Sequence, residues 1–147
     1  MKALLRQGLT PEKLSLSVAL GFALGIFPMV GATTILCFLA AWVFRLNQPA
    51  IQLINYFAYT LQLVLLVPFF KAGAWLFQMD PVAVSVSDIY DLLTTDLSGT
   101  ISKFWIANVH AVAVWLLVSP FLVAITYGTV TPLFRRIART FQSDVTA

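Results

Sequence analysis

Charge is scarce in this chain. Of 147 residues only 10% are Asp, Glu, Lys or Arg, while 60% are hydrophobic. A soluble domain carries about 25% charged residues, so this composition excludes an ordinary water-facing surface. Cysteine occurs once, at Cys37. That excludes an internal disulfide and leaves small apolar packing as its expected part. Histidine also occurs once, at His110, with no second histidine or cysteine at ligand spacing. A zinc site of the usual kind lacks its ligands. No charged residue lies deep in any long apolar run, which removes the residues of a proton or ion relay. No catalytic constellation is visible. The chain is expected to be no enzyme and to carry no metal or cofactor.

Long apolar runs are what the chain has. Leu14–Phe44, Leu46–Phe70 and Phe104–Phe134 are free of charge. A bilayer core takes about 20 helical residues to cross. The expected fold is therefore an all-α integral membrane protein. The first run is too long for a signal peptide, whose apolar region spans roughly 7–15 residues. As one helix it would measure about 46 Å, against a core of about 30 Å. Steep tilt absorbs part of that excess. The alternative is a reversal at "GIFPMVG", residues 25–31. Two arms of about 12 residues then remain, each about 18 Å long. Neither spans, and together they form a re-entrant helical hairpin.

Charge placement favours the hairpin. With a re-entrant hairpin over 14–44, a transmembrane helix over 49–70 and another over 105–132, both termini and Arg45 share one side. That side holds Lys2, Arg6, Lys13, Arg45, Arg135, Arg136 and Arg139 against Glu12 and Asp144. The opposite side holds Lys71 and Lys103 against Asp80, Asp88, Asp91 and Asp96. An excess of Lys and Arg marks the cytoplasmic side, so both termini are expected in the cytoplasm. Residues 80–103 form an outer-face segment. There Ile89, Leu92, Leu93 and Leu97 recur at helical spacing and predict an outer amphipathic helix. Residues 133–147 form a basic cytoplasmic tail that touches anionic membrane lipids. Without a stacking-plus-basic pattern, no nucleic acid partner is expected. The whole chain, 1–147, reads as a single membrane domain with no internal repeat.

Punctuation marks the ends of elements. Thr10 before Pro11 and Glu12 predicts a capped helix start, and Asn47 before Pro49 predicts another. Pro68 is expected to kink or end the second run, and Ser119-Pro120 to kink the third.

The candidate site is the hairpin tip. Gly21 and Gly25 form a G-x-x-x-G pair that permits close helix approach, and Pro28 interrupts the helix after them. One reading makes these three a packing device and a kink. The other starts at Gly31. A half-helix beginning there aims its free N–H groups and positive dipole end into the membrane interior. Thr33 and Thr34 stand beside them. Broken helices of this kind hold anionic groups. Gln48, Gln52, Asn55 and Gln62 share one face of the second run. They serve either as interhelical hydrogen bonds, about 0.6 kcal/mol each, or as a polar lining for the tip.

These residues also carry a resemblance. "GFALGIFPMVGATT" holds Gly21, Gly25, Pro28, Gly31 and Thr34, "FRLNQPA" follows, and "NYFAYTLQLVLLVPFFKAG" carries Asn55, Gln62, Pro68 and Gly73. Over roughly residues 10–135 the chain resembles the bacterial membrane family known as domain of unknown function 2062. Thr33 and Tyr56 stand where many members carry glutamine and proline, which weakens the transfer of a polar site to those two positions. The resemblance implies a bacterial inner-membrane protein. Some relatives are fused to glycosyltransferase domains, which implies lipid-linked substrates.

Two functions are expected from this reading. The first is binding or transport of a lipid-linked or anionic small molecule at the tip, with Gly31, Thr33, Thr34, Asn55 and Gln62 as ligand-binding residues. The second is a non-enzymatic accessory or anchoring subunit of a membrane enzyme complex. Partners are expected to be membrane lipids and either further copies of the chain or another membrane protein.

Overall fold

A computed structural model describes residues 10–79 and 97–145. These form four helices: α1 Pro11–Gly25, α2 Thr33–Phe44, α3 Gln48–Leu76 and α4 Leu97–Val145. No strand occurs among the described residues. The predicted outer amphipathic helix, with Asp88, Asp91 and Asp96, lies almost wholly outside them. Its last residues, 97–103, belong to α4 and continue without a break into the long apolar helix.

Both predicted caps are present. The Lys13 amide donates to Thr10 Oγ1 at 3.3 Å, with Pro11 opening α1. The Ala50 amide donates to Asn47 Oδ1 at 2.9 Å. Pro28 cannot continue a helix and disfavours helical geometry in the residue before it, so α1 stops at Gly25. Gly31 takes φ +90°, a conformation that suits glycine, and α2 begins two residues later. The chain has reversed by the end of α2. Lys13 Nζ donates to the Arg45 carbonyl at 3.3 Å, and the Asn47 amide donates to Ser17 Oγ at 3.3 Å. The start of α1 and the end of α2 thus lie together. Arg45 ends α2 in the left-handed conformation, while the Leu46 amide reaches back to the Ala41 carbonyl at 2.9 Å.

The prolines farther along do not end their helices. α3 runs past Pro68 to Leu76, and α4 contains both Pro120 and Pro132. The rings of all three are largely on the outside of the molecule. There the missing N–H leaves one gap in the ladder and the ring meets no packed neighbour.

α1 is the central element, with α3 on one side and α4 on the other. Ser15, Ser17, Ala19, Gly21, Ala23 and Gly25 are all buried. On a helix these alternate between two faces, Ser15-Ala19-Ala23 and Ser17-Gly21-Gly25. The glycine face meets α3 so closely that a Cβ on Gly21 would stand 2.7 Å from the Ile51 carbonyl oxygen. A Cβ on Gly25 would stand 2.6 Å from that of Ala58. From α4, the Trp115 indole N–H donates to the Ala23 carbonyl at 2.8 Å, and its ring meets Phe27 edge to face at 4.9 Å. The buried serine hydroxyls are satisfied by carbonyls one turn back, at Pro11 and Lys13. Above the hairpin α3 and α4 pack on each other. There Gly73 faces His110, whose ring stacks on Phe77 at 4.2 Å.

α3 and a 40-residue stretch of α4, Ile101–Thr140, are long and apolar enough to cross a membrane. Only 22% and 11% of their most apolar windows are buried. Core helices of a soluble protein would be mostly covered, so these two expose their apolar residues outward, as lipid-facing helices do.

Candidate functional site

The hairpin tip, residues 26–32, rests against the middle of α3. Gln62 Nε2 donates to the Phe27 carbonyl at 2.6 Å. Gln62 stands about 21 Å along α3 from Gln48 at 1.5 Å per residue. A chain that reverses there places its irregular backbone midway along a helix long enough to span.

Three polar residues meet beside the tip. Gln52 Nε2 donates to the Thr34 carbonyl at 3.1 Å, and Asn55 Nδ2 donates to Gln52 Oε1 at 3.3 Å. Asn55 Nδ2 also stands 3.5 Å from Thr34 Oγ1, the outer limit of a hydrogen bond. The start of α2 is open. Ala32, the cap residue, is already in helical conformation and offers no side-chain acceptor. The first amides of a helix have no partner within it. They and the helix dipole make a region of positive potential. Thr34 and Gly31 are exposed at this turn, and no atom lies within 4 Å of where a Gly31 Cβ would be.

The residues singled out by sequence therefore separate. Thr34 and Asn55 come together, joined by Gln52, whose place three residues before Asn55 was the available signal. Thr33 is buried on the inner face of α2. Gly31 lies in the open. Gln62 serves the other limb of the tip, about two helical turns along α3 from Asn55. Gly21, Gly25 and Pro28 are buried and make the packing and the turn. Trp115 was missed, although an indole N–H inside an apolar run must find an acceptor.

The interior holds three polar atoms without partners among the described residues: Gln48 Oε1, Asn55 Oδ1 and Gln62 Oε1. Below the tip, an apolar crevice of about 270 Å³ opens between α3 and α4. Val18 and Phe22 of α1, Phe57 and Leu61 of α3 and Thr126 of α4 line it. No group of three or more His, Cys, Asp or Glu capable of holding a metal occurs among the described residues.

Residues 1–143 match the model of a family described as an uncharacterized protein conserved in bacteria (DUF2062). No curated protein and no solved structure matches the chain.

Proposed function

The chain belongs to the DUF2062 family of bacterial proteins, and from that premise we propose that it binds or transports a lipid-linked or anionic small molecule at the hairpin tip. In this reading it resides in the inner membrane with both termini cytoplasmic. α1 and α2 re-enter from the cytoplasmic side without crossing. At 15 and 12 residues they measure about 22 and 18 Å, against a core of about 30 Å. The tip then lies within the hydrocarbon, where irregular backbone is tolerated only beside protein or a water-filled cavity.

The observation that carries the reading is the uncapped first turn of α2, open beside Thr34 and Asn55 about two helical turns before Gln62 on α3. Broken helices present such turns to anionic groups in transporters. An apolar crevice lies on the α4 side of the α1–α3 pair and does not reach α2. Native mass spectrometry of the protein purified in mild detergent tests the reading. A retained phospholipid or polyprenyl phosphate is expected. Its absence, with a stoichiometric protein partner in its place, overturns it.

That second outcome belongs to the accessory-subunit reading, which one observation favours. The outer face of α2 presents Ile35, Phe38, Trp42 and Val43, with Trp42 73% exposed. A membrane enzyme could dock there. Orientation is tested by single-cysteine labelling in a Cys37→Ala background. Arg45→Cys should react only from the cytoplasmic side and Asp91→Cys only from outside. External labelling at position 45 removes the re-entrant hairpin.

A further inference from the structure

We propose that the ligand of the tip carries a hydrogen-bond donor, a hydroxyl or an ammonium, close to its anionic oxygens. This rests on the proposed binding function and adds the other half of the ligand. What points to it is the chemical sign of the unmet hydrogen bonds. Asn55 and Gln62 are 3% and 1% exposed, and in each the unpartnered atom is the amide oxygen.

The hydrogen-bond network determines that sign. Gln62 Nε2 donates to the Phe27 carbonyl at 2.6 Å. Turning this amide over would set carbonyl against carbonyl. Gln52 is fixed likewise by its bond to the Thr34 carbonyl, which directs its own oxygen toward Asn55. Asn55 must therefore offer its nitrogen to Gln52 and keep its oxygen free. A buried carbonyl oxygen without a partner asks for a donor and repels an anion.

Two unlike demands thus stand close to one another, since the Asn55 amide that carries Oδ1 has its nitrogen beside Thr34. The first amides of α2 ask for an acceptor, which a phosphate or carboxylate supplies. Asn55 Oδ1 asks for a donor. Thr34 is the exposed residue beside it, at the outer limit of hydrogen-bond distance from Asn55 Nδ2. The chemistry that satisfies both demands is a phosphate ester with a hydroxyl or ammonium a few bonds away. A phospholipid head group has it, and so does a free phosphorylated alcohol or amine. Gln62 Oε1 offers a second acceptor at the far limb of the tip.

The test uses the full-length, delipidated protein in detergent, titrated with lipids of matched chains and followed by native mass spectrometry. Phosphatidylcholine presents a phosphate and a quaternary ammonium that cannot donate. Phosphatidylethanolamine and phosphatidylglycerol present the same phosphate with N–H or O–H donors. We expect these two to be retained about tenfold better than phosphatidylcholine, the worth of one buried donor matched to an orphan acceptor. Asn55→Leu should abolish that preference, so that the three lipids are retained alike. Free phosphoethanolamine and glycerol phosphate are the competitors. Displacement by them supports a soluble source of the head group, and resistance with the preference intact supports a lipid-borne one. Equal retention of all three lipids by the wild-type protein overturns this inference and leaves the anion site standing. Retention of none overturns the binding function as well. The wild-type comparison is decisive even where Asn55→Leu fails to fold.

Discussion

The two arms of the hairpin are similar in length and opposite in construction. α1 buries six residues, all small, on two faces. α2 buries only Thr33, Cys37 and Ala41, a single stripe at every fourth position, and turns its large side chains outward. α2 is the more apolar arm, but side-chain size is what decides how each one packs. In the proposed membrane setting there is little hydrophobic drive between helices, and association rests on close van der Waals contact and interhelical hydrogen bonds. A helix gripped from two sides must be narrow, and α1 is. A helix gripped from one side can carry bulk on the other, and α2 does.

The contrast is tested hardest by adding bulk to the narrow arm and removing it from the wide one. Gly25→Leu places side-chain atoms where a Cβ already stands 2.6 Å from that of Ala58 and 3.2 Å from the Asn55 Cα. The backbone must part, and a loss of roughly 3 kcal/mol or more is expected. In practice little folded protein should survive detergent extraction. Phe38→Ala on α2, where the side chain is exposed, should stay within about 0.5 kcal/mol. Yield and thermal midpoint by fluorescence size-exclusion chromatography measure both. Comparable losses would erase the distinction between the arms.

Much of this hairpin was legible beforehand. Gly25, Pro28 and Gly31 interrupt an apolar run, and each has a local physical consequence that needs no partner. The caps at Thr10 and Asn47 are local as well. Charge placement assigned Lys13 and Arg45 to one side, but their contact, Lys13 Nζ on the Arg45 carbonyl, required the structure. The other features depend on tertiary contacts that periodicity does not encode. Nothing in the sequence states that Gly21 lies over Ile51 or that Trp115 reaches the Ala23 carbonyl. The persistence of α3 through Pro68 and of α4 through Pro120 follows from which way each ring faces, and facing is a property of the assembled bundle. At the site, polar spacing marked Asn55 and Gln62 as sharing a face. Which atom of each amide would be left unpartnered required the network through Gln52 and Phe27.

Gly31 sharpens the comparison from the other direction. It has open space around it, so size is irrelevant there and only backbone conformation matters. At φ +90° an L-residue incurs roughly 1–2 kcal/mol of strain. Gly31→Ala should therefore cost about 1 kcal/mol, well short of Gly25→Leu, although both replace a glycine of the hairpin. A cost equal to that of Gly25→Leu would mean the tip is packed against something beyond this chain. Thr34→Val is gentler still. It keeps the volume and removes a hydroxyl whose one interhelical contact is 3.5 Å long. Stability should change by no more than about 0.6 kcal/mol, while lipid retention falls. Unchanged retention at wild-type protein level would leave the tip as architecture.

The smallest effect is expected where α1 is tied to α4 by charge. Arg135 Nε donates to Glu12 Oε1 at 2.9 Å, with side chains 55% and 45% exposed. Water and salt screen such a pair, so its contribution is slight. Its direction is nevertheless defined. Glu12 titrates below the ordinary carboxylate value of 4.5, first because its carboxylate accepts a hydrogen bond from the backbone in the opening turn of α1, then because Arg135 bonds to it. A carboxylate whose folded pKa is lowered stabilises the fold above its unfolded value, and that contribution disappears as pH falls through the folded one. The wild-type thermal midpoint should therefore drop slightly on acidification from neutral pH to below 4.5. Other carboxylates contribute to the same drop, so the informative quantity is a difference. Glu12→Gln has no charge to lose, and its acid shift should be smaller than that of the wild type. Raising ionic strength at neutral pH should bring the two proteins closer together. α2 has no ion pair among the described residues, so acid should leave its contacts with α3 unchanged while the start of α1 loosens. Loss of amide-exchange protection in the first turns of α1 ahead of α2 on acidification would show that order. The reverse order would mean that α1 is held by its packing alone and that Arg135 is an idle neighbour.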